Sequence, residues 1–199
     1  MTVSTVAVAD ASPGDKYLHT NQRTISSTAR EDQYVLPGQN AYPTYAALTA
    51  AVSGATAASH LLQIMGDGSG YSRLVRLRIH PLQATSAGAQ IISVYRLSSA
   101  GTGGTSVTPA PFDTSDTYGG GAMTLPSSKG TEGTELLRLM IYYPAAGGII
   151  HPIEWQALPG SKPIIFGSAT SNGLALKVEG GLAGSSIDIT AEFLVTSYL

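Results

Sequence analysis

Cysteine is absent from the 199 residues, which excludes disulfides and thiolate metal sites together. Charge is scarce as well. Asp, Glu, Lys and Arg make up 12% of the chain, about half the ~25% of an ordinary soluble domain. Eleven basic against 13 acidic side chains leave a formal charge of −2. Such a balance offers no basic face to neutralise phosphates, so nucleic acid is not an expected partner. With one Trp and three Phe, the core needs the aromatics it has. Long apolar runs are also missing. The uncharged stretch from Gln33 to Ser59 is broken by Pro37, Gly38, Asn40, Pro43 and Gly54 and reads as no membrane span. Met1–Val6 lacks the basic start and apolar length of a signal peptide. The chain is expected to be made and folded in a cytoplasm, with no membrane partner.

What is present is alternation. Hydrophobic residues reach 43%, enough for one sizeable core plus an arm. Val75-Arg76-Leu77-Arg78-Ile79 and Ile187–Phe193 place apolar side chains on one face and polar ones on the other. Strands are expected at 60–65, 72–80, 90–97, 136–143, 149–155, 163–166, 174–179 and 187–196. Turn chemistry at Gly66–Gly70, Asn172-Gly173 and Gly180-Gly181 separates several of them. About eight strands with no helices between them predict an all-β, antiparallel β-sandwich of jelly-roll form. A β-protein so poor in charge has few means of keeping its edges away from neighbours.

Ahead of the sandwich (60–199) two further regions are expected. Residues 1–42 lack sustained periodicity and read as an extended N-terminal arm, with Tyr17, Leu18, Tyr34 and Val35 as partner-binding anchors. Residues 43–59 read as a short Ala-rich helix: Tyr45, Leu48 and Val52 are spaced i, i+3, i+7, with Thr44 to cap the start and Gly54 to end it. Inside the sandwich, 98–132 is a Gly- and Pro-rich loop far beyond the ~12–15 residues at which an irregular loop calls for a functional reason.

Chemistry is hard to find. Ile79-His80-Pro81 echoes Ile150-His151-Pro152, and two imidazoles on neighbouring strands would make half a metal site of cupin-like type, without the remaining ligands. Asp67-Gly68-Ser69-Gly70 lacks the alternating acids of a calcium loop and reads as a tight turn. Glu132 and Glu135 flank Gly133 and read as a solvated strand start rather than a paired-carboxylate acid and base. No nucleophile elbow, phosphate loop or dinucleotide fingerprint occurs. Trp155, and Tyr118 in the long loop, offer stacking surfaces for a carbohydrate, though Trp155 reads first as a core aromatic. The expectation is therefore no catalytic residue, no metal and no cofactor.

His60–Met65, the Gly-Ser-Gly turn and Leu74–Ile79, then Val94–Thr105 with Val107-Thr108-Pro109 and Phe112-Asp113, resemble a class of bacteriophage virion proteins. An arginine-bearing strand, an Arg-Leu-Ser strand exit and a Thr-Pro loop recur in that class. The resemblance spans roughly 61–113 and, more loosely, the closing strands. It implies a jelly-roll virion component: a head decoration or cement protein, or a related tail or fibre part. It further implies self-association, as a homotrimer, and contact with a major capsid protein or other virion proteins. A tail-fibre or baseplate receptor- or carbohydrate-binding module is the alternative. No catalytic residue comes with the resemblance.

Overall fold

The computed structural model describes residues 2–8, 16–25, 28–33, 42–144, 150–158 and 162–197, with the first three segments as backbone only. The chain divides into two compact units, Met1–Ala41 and Tyr42–Leu199.

In the first unit, β1 (Thr2–Val8), β2 (Lys16–Ile25) and β3 (Thr28–Gln33) form an antiparallel sheet in the order β1-β2-β3. Within the segment expected as an extended arm, residues 2–8, 16–25 and 28–33 pair as three strands. Tyr17 and Leu18 lie on β2, paired with Ala7 and Val6 of β1. Tyr34 and Val35 fall outside the described residues.

The second unit is an all-β sandwich of two antiparallel sheets. Its principal strands are β4 (Thr44–Ser53), β5 (His60–Met65), β6 (Gly70–Gln83), β7 (Gly88–Leu97), β11 (Glu132–Tyr143), β12 (Ile153–Gln156), β14 (Gly173–Val178) and β15 (Ser186–Ser197). One sheet runs β12-β6-β15-β4 and the other β11-β7-β14-β5. Counted in chain order, that is first, eighth, third, sixth against second, seventh, fourth, fifth, which is the jelly-roll arrangement. Short strands β8 (Thr105–Val107), β9 (Ala110–Pro111) and β10 (Ala122–Thr124) extend both sheets on one side, and β13 (Ile164–Ile165) pairs with β6.

Alternation builds the core. Along β15, Ile187, Ile189, Ala191, Phe193 and Val195 point inward while Asp188, Thr190, Glu192 and Leu194 do not. They meet Leu62 and Ile64, Ile92 and Val94, and Leu174 and Leu176 of the facing sheet. A bulge in β6, between the pairs Glu192–Arg76 and Phe193–Leu74, keeps both Leu74 and Leu77 inside and turns Arg76 and Arg78 outward.

The helix expected over 43–59 is instead strand β4, paired with β15 from Leu194–Thr44 to Ser186–Ser53, so the sandwich begins at Thr44 rather than at 60. A bulge explains the misleading spacing. Ile189 faces Thr49 and Ile187 faces Val52, so β4 holds an extra residue, with Ala51 at φ 49° and its amide donating to Asp188 Oδ1 at 2.6 Å. The inward series Tyr45, Ala47 resumes at Val52 after that residue, mimicking a helical i, i+7 step. Leu48, the third member of the expected stripe, is 54% exposed.

Candidate functional site

Every residue of β5 is buried, yet a sandwich covers only one face of a strand. The second face is covered by the long loop. Its two legs, 98–104 and 125–131, pair with each other: Ser98 donates to the Thr131 carbonyl (3.1 Å), and Thr102 and Ser128 exchange amide bonds (2.8 and 3.1 Å). Leu125 donates to the His60 carbonyl (3.0 Å).

Gln63 fastens both legs. Its Oε1 accepts from the Gly101 amide (2.9 Å), and its Nε2 donates to the Lys129 carbonyl (2.6 Å) and to Nδ1 of His60 (2.6 Å). The fixed amide N–H of Gly101 and carbonyl of Lys129 set the Gln63 amide one way round. Nδ1 of His60 is then an acceptor, and Nε2 carries the proton and donates to Glu132 Oε1 at 2.8 Å. Gln63 and His60 are both 0% exposed. A side chain on Gly101 would meet the Ser128 carbonyl at 2.6 Å and Gln63 Oε1 at 2.9 Å, so the close approach of the legs requires glycine there.

From Glu132 the polar chain runs along the outside of the sheet. Glu132 Oε2 receives Lys177 Nζ at 2.8 Å, and Lys177 lies 4.8 Å above the Tyr95 ring. The Tyr95 hydroxyl lies 2.8 Å from Glu179 and 3.2 Å from Glu135, with one hydrogen to share between the two carboxylates, while Arg138 holds Glu135 with two bonds, at 2.7 and 2.9 Å. Burial drives His60 below its ordinary pKa, and the hydrogen bond and charge of Glu132 offset this only in part. Burial pushes Glu132 up, but Lys177 and His60 outweigh it and hold it below its ordinary value. Arg138, chiefly, holds Glu135 down at about 2. The bonds to Glu179, with burial and Glu135, push Tyr95 up to about 12.

The loop has a second anchor. Tyr118 is inserted at one end of the core, its ring 5.1 Å from Tyr45 and 5.0 Å from Phe193, and its hydroxyl donates to the Met65 carbonyl. Burial raises its pKa. Beside it the loop leaves a cleft of ≈ 300 Å³ lined by Val107, Pro109, Pro111 and Asp116 among others. A second cleft of ≈ 370 Å³ lies between Arg96, Thr134 and Asn172.

The sequence expectations fall unevenly on this geometry. Trp155 packs against the core from β12, as expected. The Asp67 turn closes on itself, Asp67 Oδ1 accepting from Ser69 N at 3.0 Å. His80 lies on β6 opposite Asp188, and His151 is exposed just ahead of β12, the partner of β6. Among the described residues no three His, Asp or Glu side chains gather as a metal set. Arg76 and Arg78, on the outer face of β6, are both engaged: Glu154 takes Arg76 at 2.9 Å and Arg78 at 3.1 Å. Glu132 and Glu135, expected as a solvated strand start, are half-buried members of the network. His60 and Gln63 were missed as a pair. Their only signal is a polar residue at each end of His60-Leu61-Leu62-Gln63, which alternation assigns to opposite faces.

No known protein family, curated protein sequence or solved structure matches this chain.

Proposed function

We propose that the chain is a non-enzymatic structural subunit of a bacteriophage particle, a decoration or cement protein that binds the head shell and stabilises it. The observation that carries this reading is the outer edge of the β11-β7-β14-β5 sheet. β11 is 12 residues long, pairs among the described residues with β7 alone, and displays Met140 and Tyr142 at 65% and 64% exposure. No charged residue interrupts it after Arg138. Soluble monomers guard such edges with charge, proline or a covering element, so a bare one suits a protein that works against other protein. The ionisable residues of the outer face support the same reading. They are consumed in fastening a loop, and the buried imidazole has both nitrogens engaged. The N-terminal unit supplies a second contact with copies of the chain or with a shell subunit, Tyr17, Leu18, Tyr34 and Val35 serving as its anchors.

The test is electron microscopy of particles mixed with the purified chain. Regularly spaced extra density on the shell is the expected result, together with greater resistance of the decorated heads to heat. Saturable binding to a glycan array with bare shells, the loop cleft beside Tyr118 being the contact, would replace this reading with the receptor-binding one.

A further inference from the structure

We propose that His60 is a pH-sensitive latch, whose protonation makes Gln63 release both legs of the 98–132 loop in one step. The latch does not depend on the structural role proposed above. At neutral pH every N–H of the clasp is already donated: both amide hydrogens of Gln63, the Gly101 amide and Nε2–H of His60. Adding a proton to Nδ1 sets an N–H against the Gln63 amide N–H₂ across the 2.6 Å that now holds a bond. Rotating the amide by half a turn repairs that contact and breaks the other two. Oε1 then faces the Lys129 carbonyl, acceptor against acceptor, and Nε2 faces the Gly101 amide, donor against donor. No orientation of Gln63 satisfies a doubly protonated His60 and both loop legs, so the stranded buried groups must reach water, and the loop is the element free to move.

The charged groups facing the ring come from three elements: Glu132 on β11, Lys177 on β14 and Lys129 on the loop itself. Glu132 favours the imidazolium, but Lys177 neutralises it at 2.8 Å and Lys129 adds repulsion. Complete burial weighs the same way, so the latch opens at a lower pH than a solvated imidazole would. Opening on this scale is a local event. The loop has two kinds of anchor, and only the Gln63 clasp titrates in this range, so the legs are released before Tyr118.

Two measurements on the full chain test this. Nitrogen-detected NMR of the imidazole reports the tautomer, and the neutral ring is expected to carry its proton on Nε2 throughout. Hydrogen exchange followed by mass spectrometry, corrected for the intrinsic pH dependence, is compared between about pH 7.5 and about pH 5. Peptides covering 98–104 and 125–131 should exchange about tenfold faster or more at the lower pH, while those of β14 and β15 hold their protection. In His60→Asn, whose side-chain oxygen accepts from Gln63 without titrating, the loop should show the same protection at both values. A proton on Nδ1 at neutral pH, loop protection that does not change as His60 titrates, or an acid response that survives in His60→Asn would each overturn the latch. The first two are read on the unmodified chain and stand even if the variant fails to fold.

Discussion

Gln63 shows how much one side chain holds when its partners are main-chain groups. Replacing it with Leu keeps the volume and strands the Gly101 amide, the Lys129 carbonyl and His60 Nδ1, each at ~1–3 kcal/mol when buried. Gln63→Leu should therefore lose about 3–5 kcal/mol in urea denaturation, and an unchanged midpoint would show that the loop legs are held by other means. Glu135 is governed by charge instead of burial. Its pKa of about 2 lies below the ordinary 4.5, so its contribution is complete above 4.5 and fades as pH falls toward 2. Removing the guanidinium in Arg138→Ala should raise the Glu135 titration midpoint, followed by carboxyl NMR, by about one unit or more. His60 acts in the same direction at higher pH. Its folded pKa is depressed, so acid favours the unfolded chain once pH drops below the ordinary 6.5.

At the scale of elements, the β4 bulge and the long loop are where the chain departs from plain strand alternation. Ala51 sits at φ 49° in the bulge, a region that costs an L-residue ~1–2 kcal/mol and costs glycine almost nothing. Ala51→Gly should accordingly stabilise the protein by about 0.5–1 kcal/mol, against the usual penalty for glycine in a strand. A loss of stability on thermal melting would mean that the bulge is relaxed. The loop stays ordered because it is nailed at two places, the Gln63 clasp and the Tyr118 plug. Tyr118→Ala removes a ring packed on Tyr45 and Phe193 and should cost about 3–5 kcal/mol. Its effect on exchange should appear first in 105–124, whereas Gln63→Leu should appear first in the two legs.

At the scale of the whole molecule, scarcity of charge meets a jelly roll with a bare edge. The double variant Met140→Lys, Tyr142→Lys guards that edge in the way natural sheets do, and light scattering should show a smaller species than the parent at equal concentration. An identical size distribution would count against this edge as a surface for self-association. All eight principal strands lie between Thr44 and Ser197. A chain shortened to begin at Ala41 should therefore fold with its sandwich melting transition intact and yet fail to decorate particles. Full decoration by the shortened chain would assign the contact to the sandwich alone.

Alternation and turn residues by themselves determined the sandwich. Burial of one sheet face demands period-two patterning, and the Gly-rich turns mark where each strand must end, so seven of the eight principal strands and their jelly-roll class are legible from residue order. Residues 44–53 were not, because a bulge shifts the period, and its cause, Asp188 caught by the Ala51 amide, lies 137 residues away. The clasp was equally hidden. Nothing in His60-Leu61-Leu62-Gln63 indicates that a loop from 98–132 will cover the outer face of β5, and a polar residue in a strand reads as solvated until something is laid over it. Glu132 and Glu135 acquire their roles in the same way, from Lys177, Tyr95 and Arg138 brought alongside by the sheet. Local chemistry fixes which residues can pair in a sheet, but which polar groups are removed from water is decided only when distant segments close over them.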